Sequence, residues 1–206
     1  MKRMLIALVA VTALAAAAAA TAAAPTVTLD PSRRVAIFGD SIDLNGTIDP
    51  AAANQKVTIS VTPQGQQTRT LTTTTQADGS FTVSYQPRLL TTAVAHYQTA
   101  SSRQVIMFVR PRVSLRRVSR TRFAVTVVAG SSLAGKYVWI SRYVSRTKRY
   151  FHVGRVFLSQ SSRSRTISVG SKRIRVRRLT KLRAFLPLLQ ARPNYLDAQS
   201  NFIVAR

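Results

Sequence analysis

Beyond its first two dozen positions, the chain alternates apolar with polar residues one by one. Val57, Ile59 and Val61 alternate with Lys56, Thr58 and Ser60, and Phe81, Val83 and Tyr85 with Ser80, Thr82 and Ser84. Successive side chains of a strand point to opposite faces, so this period marks strands with one buried face. It predicts strands at 26–29, 34–38, 41–48, 56–62, 68–75, 80–85, 91–97 and 103–109. The second half gives 113–117, 121–128, 136–144, 149–158, 165–169, 173–178, 181–186 and 201–205. Asp78-Gly79, Asn45-Gly46 and Pro63-Gln64-Gly65 carry turn chemistry. Gly170-Ser171 reads as a two-residue turn that sets Ile167 opposite Ile174. The stretch 182–190 is ambiguous, and Pro187 argues against a helix there.

Short strands at this density predict an all-β chain of antiparallel sandwiches. The halves read as distant repeats: Val27-Thr28-Leu29 matches Val113-Ser114-Leu115, and Val57-Thr58-Ile59-Ser60 matches Val138-Trp139-Ile140-Ser141. The closing segments 105–109 and 202–205 also correspond. Arg110-Pro111-Arg112 is the boundary, which predicts one sandwich over 25–110 and a second over 111–206. So short a joint predicts a semi-rigid elongated rod.

The first 24 residues have a different character. Lys2 and Arg3 precede an apolar run from Met4 to Ala20, and small residues follow. This is the pattern of a secretory signal peptide, with cleavage expected at Ala22 or Ala23. The competing reading is an uncleaved membrane anchor. Export makes the protein secreted or extracellular. The chain has no cysteine, so its stability must come from buried apolar surface, and thiol catalysis and thiolate metal sites are excluded.

Charge separates the halves. The chain holds 31 Lys and Arg against 6 acidic residues, for a net charge of +25. Residues 25–110 carry 7 basic residues and 5 Asp, whereas residues 111–206 carry 22 basic residues and only Asp197.

Gly46-Thr47-Ile48, Ala77-Asp78-Gly79-Ser80-Phe81 and the segment 101–103 before a closing Val-rich strand resemble tandem bacterial immunoglobulin-like domains of secreted and cell-surface proteins. The resemblance covers residues 26–109 well and the second half by pattern. It implies an immunoglobulin-like β-sandwich with a structural, adhesive or binding role, and a fold used so widely does not name the activity.

Catalytic groups are scarce. All 6 acids are Asp, and His96 and His152 are the only two histidines. Either could join an Asp and a Ser in a triad, but no glycine-framed nucleophile elbow is present, and the chain reads as non-enzymatic, without a small-molecule substrate. Asp40, Asp43, Asn45 and Asp49 cluster as oxygen ligands of calcium would, yet the remaining ligands of a calcium loop are missing, and Ile42, Leu44 and Ile48 alternate between them. They read as the outer face and end of a strand. No metal site and no cofactor is expected. Asn45-Gly46-Thr47 also fits a glycosylation sequon, with a hairpin turn the stronger reading.

The basic half supplies the binding candidates. Arg173, Arg175 and Arg177 alternate with Ile174 and Val176, so in a strand they line one face about 6.7 Å apart. If Val138 and Ile140 point inward like Val57 and Ile59, then Tyr137, Trp139 and Tyr143 share the outer face, where aromatic rings can stack on sugars or bases. The partners expected are anionic cell-wall polymers, acidic glycans or an anionic membrane surface. Nucleic acid is expected to bind only non-specifically, because no recognition motif is visible and export removes the chain from the chromosome. The leading expectation is a secreted or wall-associated binding or adhesion protein. The alternative is a structural spacer with no specific ligand.

Overall fold

The computed structural model describes residues 24–161 and 164–205, except the side chain of Arg165. The cleavage positions and nearly all of the expected leader lie outside the described residues. In the first half, β4 (Ile42–Asp49) lies between β7 (Ser80–Tyr85) on one side and the short β1 (Thr26–Val27) and β2 (Asp30–Pro31) on the other, all antiparallel. The facing sheet runs in the order β3 (Val35–Ile37), β10 (Val105–Arg110), β8 (Thr91–Tyr97), β5 (Lys56–Pro63) and β6 (Arg69–Thr74). The two-residue β9 (Ala100–Ser101) flanks β8. The chain leaves the first sheet after β2 and joins the second as β3, parallel to β10, which ties the two sheets together.

Alternation sets the interior. Val57, Ile59 and Val61 of β5, Ile42 and Leu44 of β4, Phe81 of β7, and Met107 of β10 are all buried between these sheets. A large side chain fully buried in this way contributes about 1.5–3 kcal/mol. The turn between β6 and β7 is the one expected from Asp78-Gly79. Gly79 takes φ +76°, and the Asp78 carboxylate accepts the Ser80 N–H at 3.0 Å and the Ser80 hydroxyl at 2.7 Å. Gly65 at φ +69° likewise turns the chain between β5 and β6.

The second half repeats the plan. One sheet has the order β11 (Arg112–Arg117), β12 (Arg122–Val128), β16 (Ser164–Arg173) and β15 (Ser159–Ser161). Its partner has β14 (Arg149–Phe157), β13 (Tyr137–Val144) and β17 (Lys181–Leu186), with β18 (Ala198–Gln199) and β19 (Ile203–Val204) sharing the outer edge of β17. Phe123, Val125, Val138, Ile140, Leu182 and Leu186 fill the space between. The matched segments of the sequence hold matching places. β1 and β11 each pair with the first long strand of their half, and β5 and β13 each lie second from one edge of the facing sheet, beside the strand that follows them.

Four local expectations are corrected. Asn45-Gly46 is not a turn but lies inside β4, because a Cβ at Gly46 would meet the Thr28 carbonyl at 2.2 Å and the Phe81 ring at 2.3 Å. Gly170-Ser171 is not a turn either. β16 runs straight through it, Ile167 pairs with Val128 rather than Ile174, and Gly170 is required where the Phe157 carbonyl approaches to 2.3 Å of any Cβ. Consequently 173–178 is not a separate strand; only Arg173 belongs to one, and residues 174–178 cross between the sheets. Finally, α1 (Leu188–Ala191) forms directly after Pro187, which caps its start, a position where the missing N–H costs nothing.

The joint has no slack. β10 ends at Arg110, Pro111 is buried, and β11 begins at Arg112. Leu89 and Val109 pack into the core of the second half, although both belong to the first half of the chain. The Leu90 N–H donates to the Asn194 carbonyl and the Leu196 N–H to the Val109 carbonyl, each at 2.9 Å. Arg112 reaches back to donate to the Phe38 carbonyl at 2.6 Å and to Asp40 at 2.8 Å.

A candidate polyanion-binding surface

The six candidate residues do not form one patch. Tyr137, Trp139 and Tyr143 stand on the outer face of β13, because Val138 and Ile140 are fully buried on the inner one. Register on the neighbouring strands completes that face. Arg155 pairs with Trp139, and its guanidinium lies 4.7 Å from the ring centres of both Trp139 and Tyr137. The His152 ring also stacks on Trp139 at 4.6 Å, and His152 Nδ1 is 2.8 Å from Ser141 Oγ. Further along, Tyr143 meets Tyr150 at 5.2 Å, and Arg183 of β17 sits 3.9 Å over the Tyr150 ring. Cations over rings in this way gain about 0.5–1 kcal/mol each at an exposed site. They also hold long side chains in one geometry before any ligand arrives.

Arg155, Tyr150 and Arg183 carry no mark of their own in the sequence, and His152, weighed there as a triad member, instead joins this aromatic face. The signal that locates them is cross-strand register: a hairpin turn over 145–148 sets Tyr143 opposite Tyr150 and, past a bulge after Ile140, Trp139 opposite Arg155.

Arg173, Arg175 and Arg177 are all exposed while Ile174 is buried and Val176 half-buried, so the predicted alternation of burial holds where the strand does not. Arg173 pairs with Arg122 at the end of β16, and the Ile174 N–H donates to the Thr121 carbonyl at 2.7 Å. Arg177 joins Tyr143 in a different place. Both line a cleft of about 430 Å³ with Arg142, Arg178 and Lys181, between the end of β13 and the crossing segment. The cleft has no acidic wall. A larger groove of about 880 Å³ at the joint includes Asp197 beside Arg110 and Arg183.

Ion pairing shows how one-sided the charge is. Among the described residues the only ion pairs are Arg112–Asp40 at 2.8 Å and Arg33–Asp40 at 3.6 Å. Among the described residues, one carboxylate of the first half therefore serves the single paired cation of the second. Within the Asp40 cluster, the Asn45 side-chain oxygen accepts from the Thr82 hydroxyl at 3.0 Å. His96 Nδ1 lies 2.9 Å from Ser101 Oγ, so each histidine has a serine neighbour, and neither has a carboxylate hydrogen-bonded to it among the described residues. Near the joint, the Tyr195 hydroxyl accepts the Ser131 N–H at 2.7 Å. Burial pushes its pKa above the usual tyrosine value, partly opposed by its hydrogen bonds to Ser131.

No helix among the described residues is long and apolar enough to cross a membrane. No protein-family model and no curated protein matches the sequence. Solved structures do match the chain. The chain is similar to the tetra-tandem repeat in the extending region of a large adhesion protein, at 14% identity and a TM-score of 0.35. That match covers 87% of this chain and 48% of the adhesion-protein chain, so this chain spans about half of it. It is also similar to bovine butyrophilin, at 10% identity and a TM-score of 0.37, over 86% of this chain and 98% of that one.

Proposed function

We propose that this is a secreted or wall-associated, non-enzymatic binding or adhesion protein. In this reading two tandem immunoglobulin-like sandwiches, 25–110 and 111–206, follow a cleaved leader, and the second contacts anionic polymers such as wall phosphates or acidic glycans. The observation that carries it is the uncompensated charge: 22 basic residues in the second half face one Asp there, and of the described ones only Arg112 has an ion-pair partner. At physiological salt the Debye length is about 8 Å, so neighbouring arginines on one small sandwich repel and an anionic partner relieves them. The outer face of β13 supports the same reading, because Trp139 and Tyr137 with Arg155 above them offer flat rings to a sugar and a cation to its acid group.

Retention of the full chain on isolated cell wall, eluted with salt, tests this. Engagement of about six phosphates would weaken binding by roughly 10³–10⁵ between 50 and 200 mM salt, the duplex DNA scale applied to wall polymers. Trp139→Ala is expected to lower retention further at fixed salt. Weak retention indifferent to both salt and Trp139 would instead mark a spacer whose sandwiches only set distance.

A further inference from the structure

The cations of the second half are concentrated at one end of it. Register shows which end. β11 leaves the joint at Arg112 and reaches its far end at Arg117, where residues 118–121 turn back into β12. Arg122 pairs with Arg173 there, so β16 ends at the same place. The crossing segment 174–180 starts from that point and delivers the chain to Lys181 of β17, and β13 and β14 meet in the 145–148 turn beside it. Three connections thus share the far tip. They and their flanks carry Arg116, Arg117, Arg120, Arg122, Arg142, Arg146, Lys148, Arg149, Arg173, Arg175, Arg177, Arg178 and Lys181, and no acid. Asp40, which holds Arg112, and Asp197, which lines the groove at the joint, are at the opposite end.

Apolar side chains protrude among these cations. Leu179 is 75% exposed, Val118 50% and Phe151 45%. Each belongs to one of the three connections or their flanks, Leu179 on the rim of the acid-free cleft. Leu179 is the most telling. It takes φ +61°, a conformation costly for a leucine, and its N–H donates to the Ala205 carbonyl at 2.6 Å, which fixes the loop with the side chain in water. A soluble polymer rewards the arginines but has nothing for exposed leucine, valine and phenylalanine. An anionic bilayer rewards both, because phosphate headgroups lie above an apolar layer that a protruding side chain can enter.

We propose that this tip docks on an anionic lipid bilayer. A headgroup phosphate enters the cleft of Arg142, Arg177, Arg178 and Lys181, and Leu179, with Phe151 and Val118 flanking, passes into the interface. The proposal rests on the reading that the basic half meets an anionic partner, and it names that partner for the tip. The aromatic face of β13 lies along the side of the sandwich and stays free for a second contact.

Co-sedimentation of the full chain with vesicles tests it. Phosphatidylcholine vesicles containing phosphatidylglycerol are expected to bind the chain, and vesicles of phosphatidylcholine alone are not. Leu179→Asn is the decisive variant, since asparagine tolerates positive φ and so preserves the loop. It is expected to weaken vesicle binding about tenfold, as the loss of a partly inserted leucine should, and to leave binding to soluble polyphosphate unchanged. Arg177→Ala and Arg178→Ala are expected to weaken vesicle binding about fivefold each. If Leu179→Asn binds vesicles like the unaltered chain, or loses polyphosphate binding in equal measure, the insertion is refuted. A chain that holds polyphosphate but ignores anionic vesicles refutes the docking and leaves the polymer reading intact. A chain that binds neither overturns both.

Discussion

β5 and β13 hold the same place in their two halves and make an instructive pair. Inward, they are nearly the same strand: Val57 and Ile59 in one, Val138 and Ile140 in the other, all fully buried. Outward they share nothing but a serine. β5 shows Thr58 and Ser60 beside the threonines of β6, and hydroxyls bond each other nearby, as Thr62 does Thr68 at 2.8 Å. β13 shows Tyr137 and Trp139 beneath Arg155. The inner set pays for the fold and is interchangeable between halves. The outer set is free of that duty, so it can leave one copy nearly balanced in charge and make the other a polycation.

The first way to break this comparison is through the cores. Phe81→Ala and Phe123→Ala each remove a fully buried ring, one from each core, and each is expected to cost about 3–5 kcal/mol in chemical denaturation. Leu89 and Val109 of the first half sit in the core of the second, so Phe81→Ala is expected to loosen the second half as well, whereas two independent transitions would show that the joint transmits nothing. A smaller difference appears with pH. Tyr195 has its folded pKa raised by burial, so the stability it supplies is intact below the ordinary tyrosine pKa of about 10 and is lost as pH rises through it. Melting curves should therefore fall at alkaline pH, less steeply in Tyr195→Phe. The smallest effect belongs to the first half. Asp78 is held below the usual aspartate value by the Ser80 hydroxyl first and the Ser80 N–H second, so its contribution is present above about pH 3.9 and fades as pH falls below it. Asp78→Asn should flatten that acid slope slightly in the same melting experiment.

Much of this was legible in the alternation. The long strands fall within a few residues of expectation, because each has enough turns of the pleat to show a period and one face to bury. Two-residue strands such as β2, β9 and β18 are too short to have a period at all. The glycines misled for a different reason. Gly46 and Gly170 look like turn residues, but they are needed where a neighbouring carbonyl comes within 2.2–2.3 Å of any Cβ, and close approach across a sandwich leaves no local mark in the sequence. The outward position of Trp139 was readable from its match to Thr58. Its neighbours Arg155 and His152 were not, because they depend on register and on the bulge after Ile140. Arg173, Arg175 and Arg177 kept their exposure but not their strand, since Ile174 finds its backbone partner in Thr121 and the chain then leaves the sheet. The tip emerges only when three separate connections are brought to one end.

Backbone amide shifts of the full chain, followed during titration with a soluble polyphosphate, test the central claim most directly. Sharing a fold while differing outside predicts that shifts cluster on outward positions of residues 112–205 and leave 26–107 still. Equal shifts along both halves, or changes concentrated on the threonine face of β5 and β6, would contradict it.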